Sequence, residues 1–142
     1  MIERLEHAAL SVTDLDRSIA FYRDILGFEL IRIIEPRDDA MLGTIAALPG
    51  ARARIAHLQL GGNMLELFEN ARPRGAALPS DRPQSDIGWI HVGFGSDDVP
   101  ADCRRLREKG VAFLSDPVEF RPGVWVVYFR GPDGEVCELR QT

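Results

Sequence analysis

The chain has 142 residues, 22 acidic against 17 basic, for a net charge of −5. That length can bury one ordinary core, and the acidic balance removes the electrostatic case for nucleic acid. No run approaches the ~20 apolar residues of a membrane span, and the opening Met1-Ile-Glu-Arg-Leu-Glu6 lacks the basic start and apolar stretch of a secretion signal, so a cytoplasmic protein is expected.

The first predicted strand runs from about Leu5 to Val12. Thr13 or Asp14 is a suitable helix cap, and Leu15, Ile19, Tyr22 and Leu26 follow as one apolar stripe, closed by Gly27. Phe28 to Ile34 reads as a returning strand. Asp38 to Leu48 is predicted as a short helix before Pro49-Gly50. Two strands, Arg54–Leu60 and Asn63–Glu69, flank Gly61-Gly62, a strong two-residue turn signal. Arg52, Arg54, Arg72, Arg74 and Arg82 make the middle locally basic and read as a solvated loop region rather than an anion site.

After a proline- and arginine-rich linker, about Ala71 to Ile87, the pattern restarts. A strand near Trp89 to Gly95 leads to Asp97 or Asp98 as cap, with Pro100 in the first helical turn. The stripe Val99, Cys103, Leu106 ends at Gly110 with the spacing of the first helix, and Val111–Leu114 is predicted to return. Val124–Arg130 and Glu135–Arg140 flank the turn Gly131-Pro-Asp-Gly134. The result is an α+β chain of two βαβββ modules, about 4–70 and about 88–142, produced by duplication. Cys103 and Cys137 have no metal-binding spacing and are expected as small buried hydrophobes between sheet and helix.

Each half opens on a histidine and closes on a glutamate within short apolar runs, where an ionisable group is costly unless neutralised. Strand alternation puts Ala8, Leu10 and Val12 toward the helix and His7 on the other face. The same count turns Glu66, His91 and Glu138 to the non-helix face of their strands. Taken singly, each has an ordinary structural reading, a core histidine or an edge carboxylate. Together, two imidazoles and two carboxylates suit one divalent cation. If Gly61-Gly62 is a two-residue loop, His57 lies directly opposite Glu66. It is then a supporting partner of the ligands, a catalytic base or a bystander.

These signatures resemble the vicinal oxygen chelate superfamily of glyoxalase I, methylmalonyl-CoA epimerase, extradiol dioxygenases and bleomycin-binding proteins. The resemblance spans nearly the whole chain. It is carried by His7-Ala-Ala-Leu-Ser-Val, Arg17-Ser-Ile-Ala-Phe-Tyr-Arg-Asp-Ile-Leu-Gly-Phe28, Leu65-Glu-Leu-Phe68, His91-Val-Gly-Phe and Gly131-Pro-Asp-Gly-Glu-Val-Cys-Glu-Leu139. It implies paired βαβββ modules forming a curved half-barrel. His7, Glu66, His91 and Glu138 match the glyoxalase-like ligand set by position. Asn70 also fits the bacterial glyoxalase pattern, and Glu66-Leu-Phe-Glu69 is similar to the epimerase. Ser11 stands where the glyoxalase arginine that helps hold glutathione would fall, which counts against a glutathione thioester.

Such a ligand set suits Zn, Ni, Co, Mn or Fe(II). The resemblance implies a lyase, isomerase or epimerase that chelates two neighbouring substrate oxygens and stabilises an enolate. Glu138 or Glu66 is the candidate base, and His57 a further catalytic candidate. An extradiol Fe(II) dioxygenase would use His7, His91 and Glu138, but Glu66 occupies a position that substrate or oxygen needs. A metal-free binding protein of the bleomycin-resistance type is the non-enzyme alternative. Relatives pair modules within a chain or across a dimer, so a homodimer with a small-molecule substrate is expected.

Overall fold

A computed structural model describes residues 1–36, 40–79 and 81–142. The chain divides into two compact units, Met1–Ala77 and Leu78–Thr142. The first contains β1 (His7–Ser11), α1 (Leu15–Ala20) continued by a π-helical turn (Phe21–Ile25), β2 (Glu29–Ile34), a short α2 (Ala40–Ile45), β3 (Arg52–Leu60) and β4 (Asn63–Arg72). The second contains β5 (Val92–Gly95), α3 (Val99–Glu108), β6 (Val118–Arg121), β7 (Val124–Arg130) and β8 (Val136–Gln141). Their sheets run β1-β4-β3-β2 and β5-β8-β7-β6, with the first pair parallel and the others antiparallel in each. Each unit is thus a βαβββ module, and the chain has the α+β architecture of two such modules that the sequence predicts.

Duplication extends to individual hydrogen bonds. The Val12 amide donates to the Phe68 carbonyl at 2.8 Å, and the Ser96 amide to the Arg140 carbonyl at 2.9 Å. Asp14 accepts from the Arg17 amide and Asp98 from the Ala101 amide, both at 2.9 Å. Each helix has a second cap sent from the last strand of its sheet. The Leu15 amide donates to Glu69 Oε2 at 3.0 Å, and the Val99 amide to Gln141 Oε1 at 3.1 Å. These oxygens satisfy helix-end amides that have no partner within the helix.

The predicted stripes form the cores. Leu15 and Ile19 on α1 and Tyr22 on its extension are buried, as are Leu58, Leu65 and Leu67 on β3 and β4, the strands on which α1 packs. Val99, Cys103 and Leu106 are buried on α3, as are Val127, Phe129, Cys137 and Leu139 in the second sheet. Each fully buried large side chain contributes about 1.5–3 kcal/mol through removal of apolar surface from water. Both cysteines are buried thiols.

Four expectations need correction. The two helices do not have the same spacing, because Leu15 to Gly27 is one residue longer than Val99 to Gly110. The π turn absorbs it, with the Leu26 amide donating five residues back to the Phe21 carbonyl at 3.2 Å. Beyond it the Phe28 amide still reaches the Tyr22 carbonyl at 3.0 Å, as the Val111 amide reaches that of Leu106 at 3.0 Å. Second, Val111–Leu114 is not a strand. Phe113 makes one bridge to Phe129, and the edge strand is Val118–Arg121, beyond a break at Ser115-Asp116-Pro117 where proline offers no amide to a ladder. Third, β5 begins at Val92, leaving Trp89 89% exposed. Fourth, Arg52 and Arg72 lie in strands rather than a loop, extending β3 and β4 beyond the predicted ends, while Arg54 lies in β3 as its strand prediction has it. Arg54 joins Asp16, Glu35 and Glu69 at 3.2–3.4 Å. Asp38, the predicted start of the short helix, lies outside the described residues. Among the described residues, no helix is long and apolar enough to cross a membrane.

Candidate functional site

In the first unit Gly61 and Gly62 both take positive φ (55° and 83°), the mirror-image turn that matches strand twist. It sets Leu60 opposite Asn63 and, counting back, His57 opposite Glu66. Leu65 and Leu67 point into the core and Glu66 to the other face, as alternation predicts. Strand β1 lies parallel on the far side of β4, with Ala9 beside Glu66 and His7 beside Met64. Glu66 thus sits between two imidazoles. His7 Nε2 is 3.4 Å from Glu66 Oε2, and His57 Nε2 is 3.0 Å from Glu66 Oε1.

The protons on these rings follow from their neighbours. Glu6 accepts a hydrogen bond from His7 Nδ1. This bond, and then the charge of Glu66, raises the His7 pKa above its ordinary value. With Nδ1–H given to Glu6, Nε2 turns its lone pair toward a carboxylate oxygen. Two electron-rich atoms so placed call for a cation between them, whether a proton or a metal ion.

The second unit repeats the pair with different neighbours. His91 Nε2 is 3.8 Å from Glu138 Oε2. Glu138 lies opposite Tyr128 on β7 and beside Gly93 on β5. A Cβ at Gly93 would stand 3.0 Å from Glu138 Oε2, so the carboxylate lies over bare backbone. The His91 ring packs against Tyr128, centroids 5.1 Å apart. His91 Nδ1 is buried with no hydrogen-bond partner among the described residues. An open groove beside Glu138 is lined by Gly93, Phe94, Gly95, Arg140 and Thr142.

The four predicted ligands thus appear as two imidazole–carboxylate pairs, one in each unit. Among the described residues, no three His, Cys, Asp or Glu side chains stand gathered to hold a metal ion. The donor chemistry of each pair nevertheless fits one. With bonds of about 2.1 Å, two donors on one tetrahedral ion stand about 3.4 Å apart. The first pair has that separation and the second is somewhat wider. The carboxylates are largely buried, Glu66 at 16% and Glu138 at 14% side-chain exposure, whereas His7 is 42% exposed. His7 is therefore not the buried group its apolar flanks suggest.

Three residues at the site were missed. Tyr128 was hidden, because counting back from a Gly131–Gly134 turn sets Val127 opposite Glu138, whereas the strands pair Arg130 with Val136 and so bring Tyr128 there. Glu6 adjoins His7, but adjacency in sequence does not predict that the side chains meet. Arg32 reaches His57 from β2, with its Nε 3.1 Å from Nδ1. A bulge between Leu30 and Arg32 and the long connection to β3 hide that register from the sequence.

The family profile of the Glyoxalase/Bleomycin resistance protein/Dioxygenase superfamily matches residues 4–139. The chain belongs to that superfamily. It is 36% identical to a 2-epi-5-epi-valiolone epimerase of an Actinomyces species, over 95% of this chain and 77% of the relative. It is 29% identical to a probable lactoylglutathione lyase of Synechocystis sp., over 97% and 95%. A solved glyoxalase family protein from Bacillus cereus shares the fold at a TM-score of 0.88, covering 99% of this chain and 94% of that one at 22% identity.

Proposed function

We propose that this chain is a divalent-metal-dependent enzyme of the lyase and epimerase type, moving a proton next to a carbonyl in a small molecule with two neighbouring oxygens. The observation that carries this reading is the repeated imidazole–carboxylate pair, His7 with Glu66 on β1 and β4 and, in the second unit, Glu138 on β8 with His91 just before β5. His7, Glu66, His91 and Glu138 are its four ligands. An ion bound there supplies Lewis acidity that draws charge from the substrate oxygens as an enolate develops.

The chain's own residues do the rest. Glu138 is the base: its nearest cationic neighbour among the described residues is His91 at 3.8 Å, and it faces a groove floored by glycine. Its carboxylate takes the proton and returns it to the same carbon in an epimerisation, or to the next in an isomerisation. Glu66, bracketed by His7 and His57, is the held carboxylate. The relatives named as an epimerase and a lyase support this class. Ser11 donates no charge to a substrate anion; its hydroxyl accepts from Asn70 Nδ2 at 2.9 Å, which favours a substrate other than a glutathione thioester. A homodimer is part of the proposal, supported by the exposed Ile87 and Trp89.

The test is solvent deuterium exchange into 2-oxo thioesters, hemithioacetals, acyl-CoA epimers and cyclic polyhydroxy ketones by the metal-loaded protein. Exchange lost by 10²-fold or more in Glu138→Gln is the expected result, about the size of a general-base contribution. Oxygen uptake with Fe(II) and a catechol, without exchange, would instead assign the dioxygenase reading.

A further inference from the structure

Glu66 is the best-anchored of the four ligand candidates, and its anchor extends through two residues that no ligand set requires. Arg32 Nε donates to His57 Nδ1 at 3.1 Å. A guanidinium has donors only and keeps its charge, so Nδ1 is the bare, accepting nitrogen of the ring. The ring proton is therefore on Nε2, which lies 3.0 Å from Glu66 Oε1 and donates to it. His57 is 8% exposed, so the ring is fixed by packing as well as by its bonds.

From this geometry we infer that Arg32 and His57 are positioning residues that occupy Glu66 Oε1 and leave Oε2 as its single metal-binding oxygen. Oε2 is the atom facing His7 Nε2 at 3.4 Å. An N–H donor held on Oε1 takes one of that oxygen's lone pairs and fixes the carboxylate plane, which favours binding of an ion through Oε2 alone. Among the described residues Glu138 has no equivalent support: the residue opposite it is Tyr128, whose ring lies against His91. The relay thus makes the first-unit carboxylate a fixed one-oxygen ligand. The inference rests on the ligand assignment proposed above and adds to it the mode of binding and the two residues that impose it.

Two measurements test it. Long-range 1H–15N correlation on the metal-free protein should show His57 with a protonated Nε2 and a bare Nδ1. In Arg32→Met the signal should move toward a mixture of the two neutral forms. A protonated Nδ1 in the wild type, or no change in Arg32→Met, overturns the relay. Titration with Co²⁺ alone, followed by visible absorption, then reads the ligand. His57→Phe should weaken binding about 10–100-fold and alter the absorption envelope, as loss of a ligand's supporting bond does. His57→Gln, which retains an N–H toward Glu66, should recover most of the affinity. Tight binding unchanged in His57→Phe would overturn the positioning role alone. A wild-type chain that takes up no Co²⁺ would overturn the four-ligand reading, and the positioning role with it.

Discussion

The two units carry the same pair of side chains on the same scaffold and support them differently. Glu66 is held through His57 by Arg32, with an alanine beside it on β1. Glu138 lies over Gly93, opposite a tyrosine that packs on its partner histidine. One carboxylate is clamped and the other has room. In the proposed function, duplication supplies two equivalent carboxylates, and the divergence of their neighbours is what assigns binding to Glu66 and proton transfer to Glu138. The helices diverge in the same way: a π turn adds one residue to the first, so its closing bond, Phe28 amide to Tyr22 carbonyl, spans six residues where Val111 to Leu106 spans five.

The largest expected effects come from the equivalent core positions Tyr22 and Leu106, both essentially without solvent exposure. Tyr22→Ala should cost about 3–5 kcal/mol and Leu106→Ala about 2–5 kcal/mol in denaturant unfolding. If each unit has its own core, hydrogen-exchange protection should fall most in the unit that carries the change. Equal loss in both units would break the comparison at that level.

A smaller effect is expected at the carboxylates' neighbours. Gly93→Ala sets a methyl about 3.0 Å from Glu138 Oε2 and should weaken Co²⁺ binding about tenfold, or about 1.4 kcal/mol. Ala9→Gly, the reciprocal change beside Glu66, should leave affinity within about threefold because His57 holds the carboxylate. Equal effects of the two changes would deny the difference in clamping.

Deleting Asp24, which lies exposed in the π turn, should convert the first helix to the length of the second. The cost should be about 1 kcal/mol or less, since its ion pair with Arg23 is on the surface. Loss of the folded state would show that the extra residue is structural.

The pH dependence separates the units further. Glu6 and Glu66 raise the His7 pKa above 6.5. In the metal-free chain the stability this lends is fully present below 6.5 and lost as pH rises through the raised value. Metal binding has the opposite sense, because ion and proton compete for Nε2, and affinity falls as pH drops through the same value. Glu6→Gln should move that fall to lower pH. An unchanged Co²⁺ affinity profile would remove Glu6 from the site.

Much of this was legible because the relevant signals are local. The Gly61-Gly62 turn fixed the β3–β4 register and with it the meeting of His57 and Glu66. Alternation separated Leu65 and Leu67 from Glu66, and the Asp14 and Asp98 caps located both helix starts. What stayed hidden depends on non-local packing. The π turn hid because an apolar stripe at three- and four-residue spacing tolerates one more residue without losing its face. The Val118–Arg121 edge strand hid because its own four residues are all exposed, leaving no burial pattern to read. Arg32 hid behind a bulge, although it decides which oxygen of Glu66 is free.

The central claim is that both pairs serve one ion. Its most direct measurement is the metal content of the purified chain beside His7→Ala and His91→Ala, one change in each unit. About one divalent ion per chain, lost or strongly weakened in both variants, is the predicted result. Retention of the ion when either histidine is removed would contradict it.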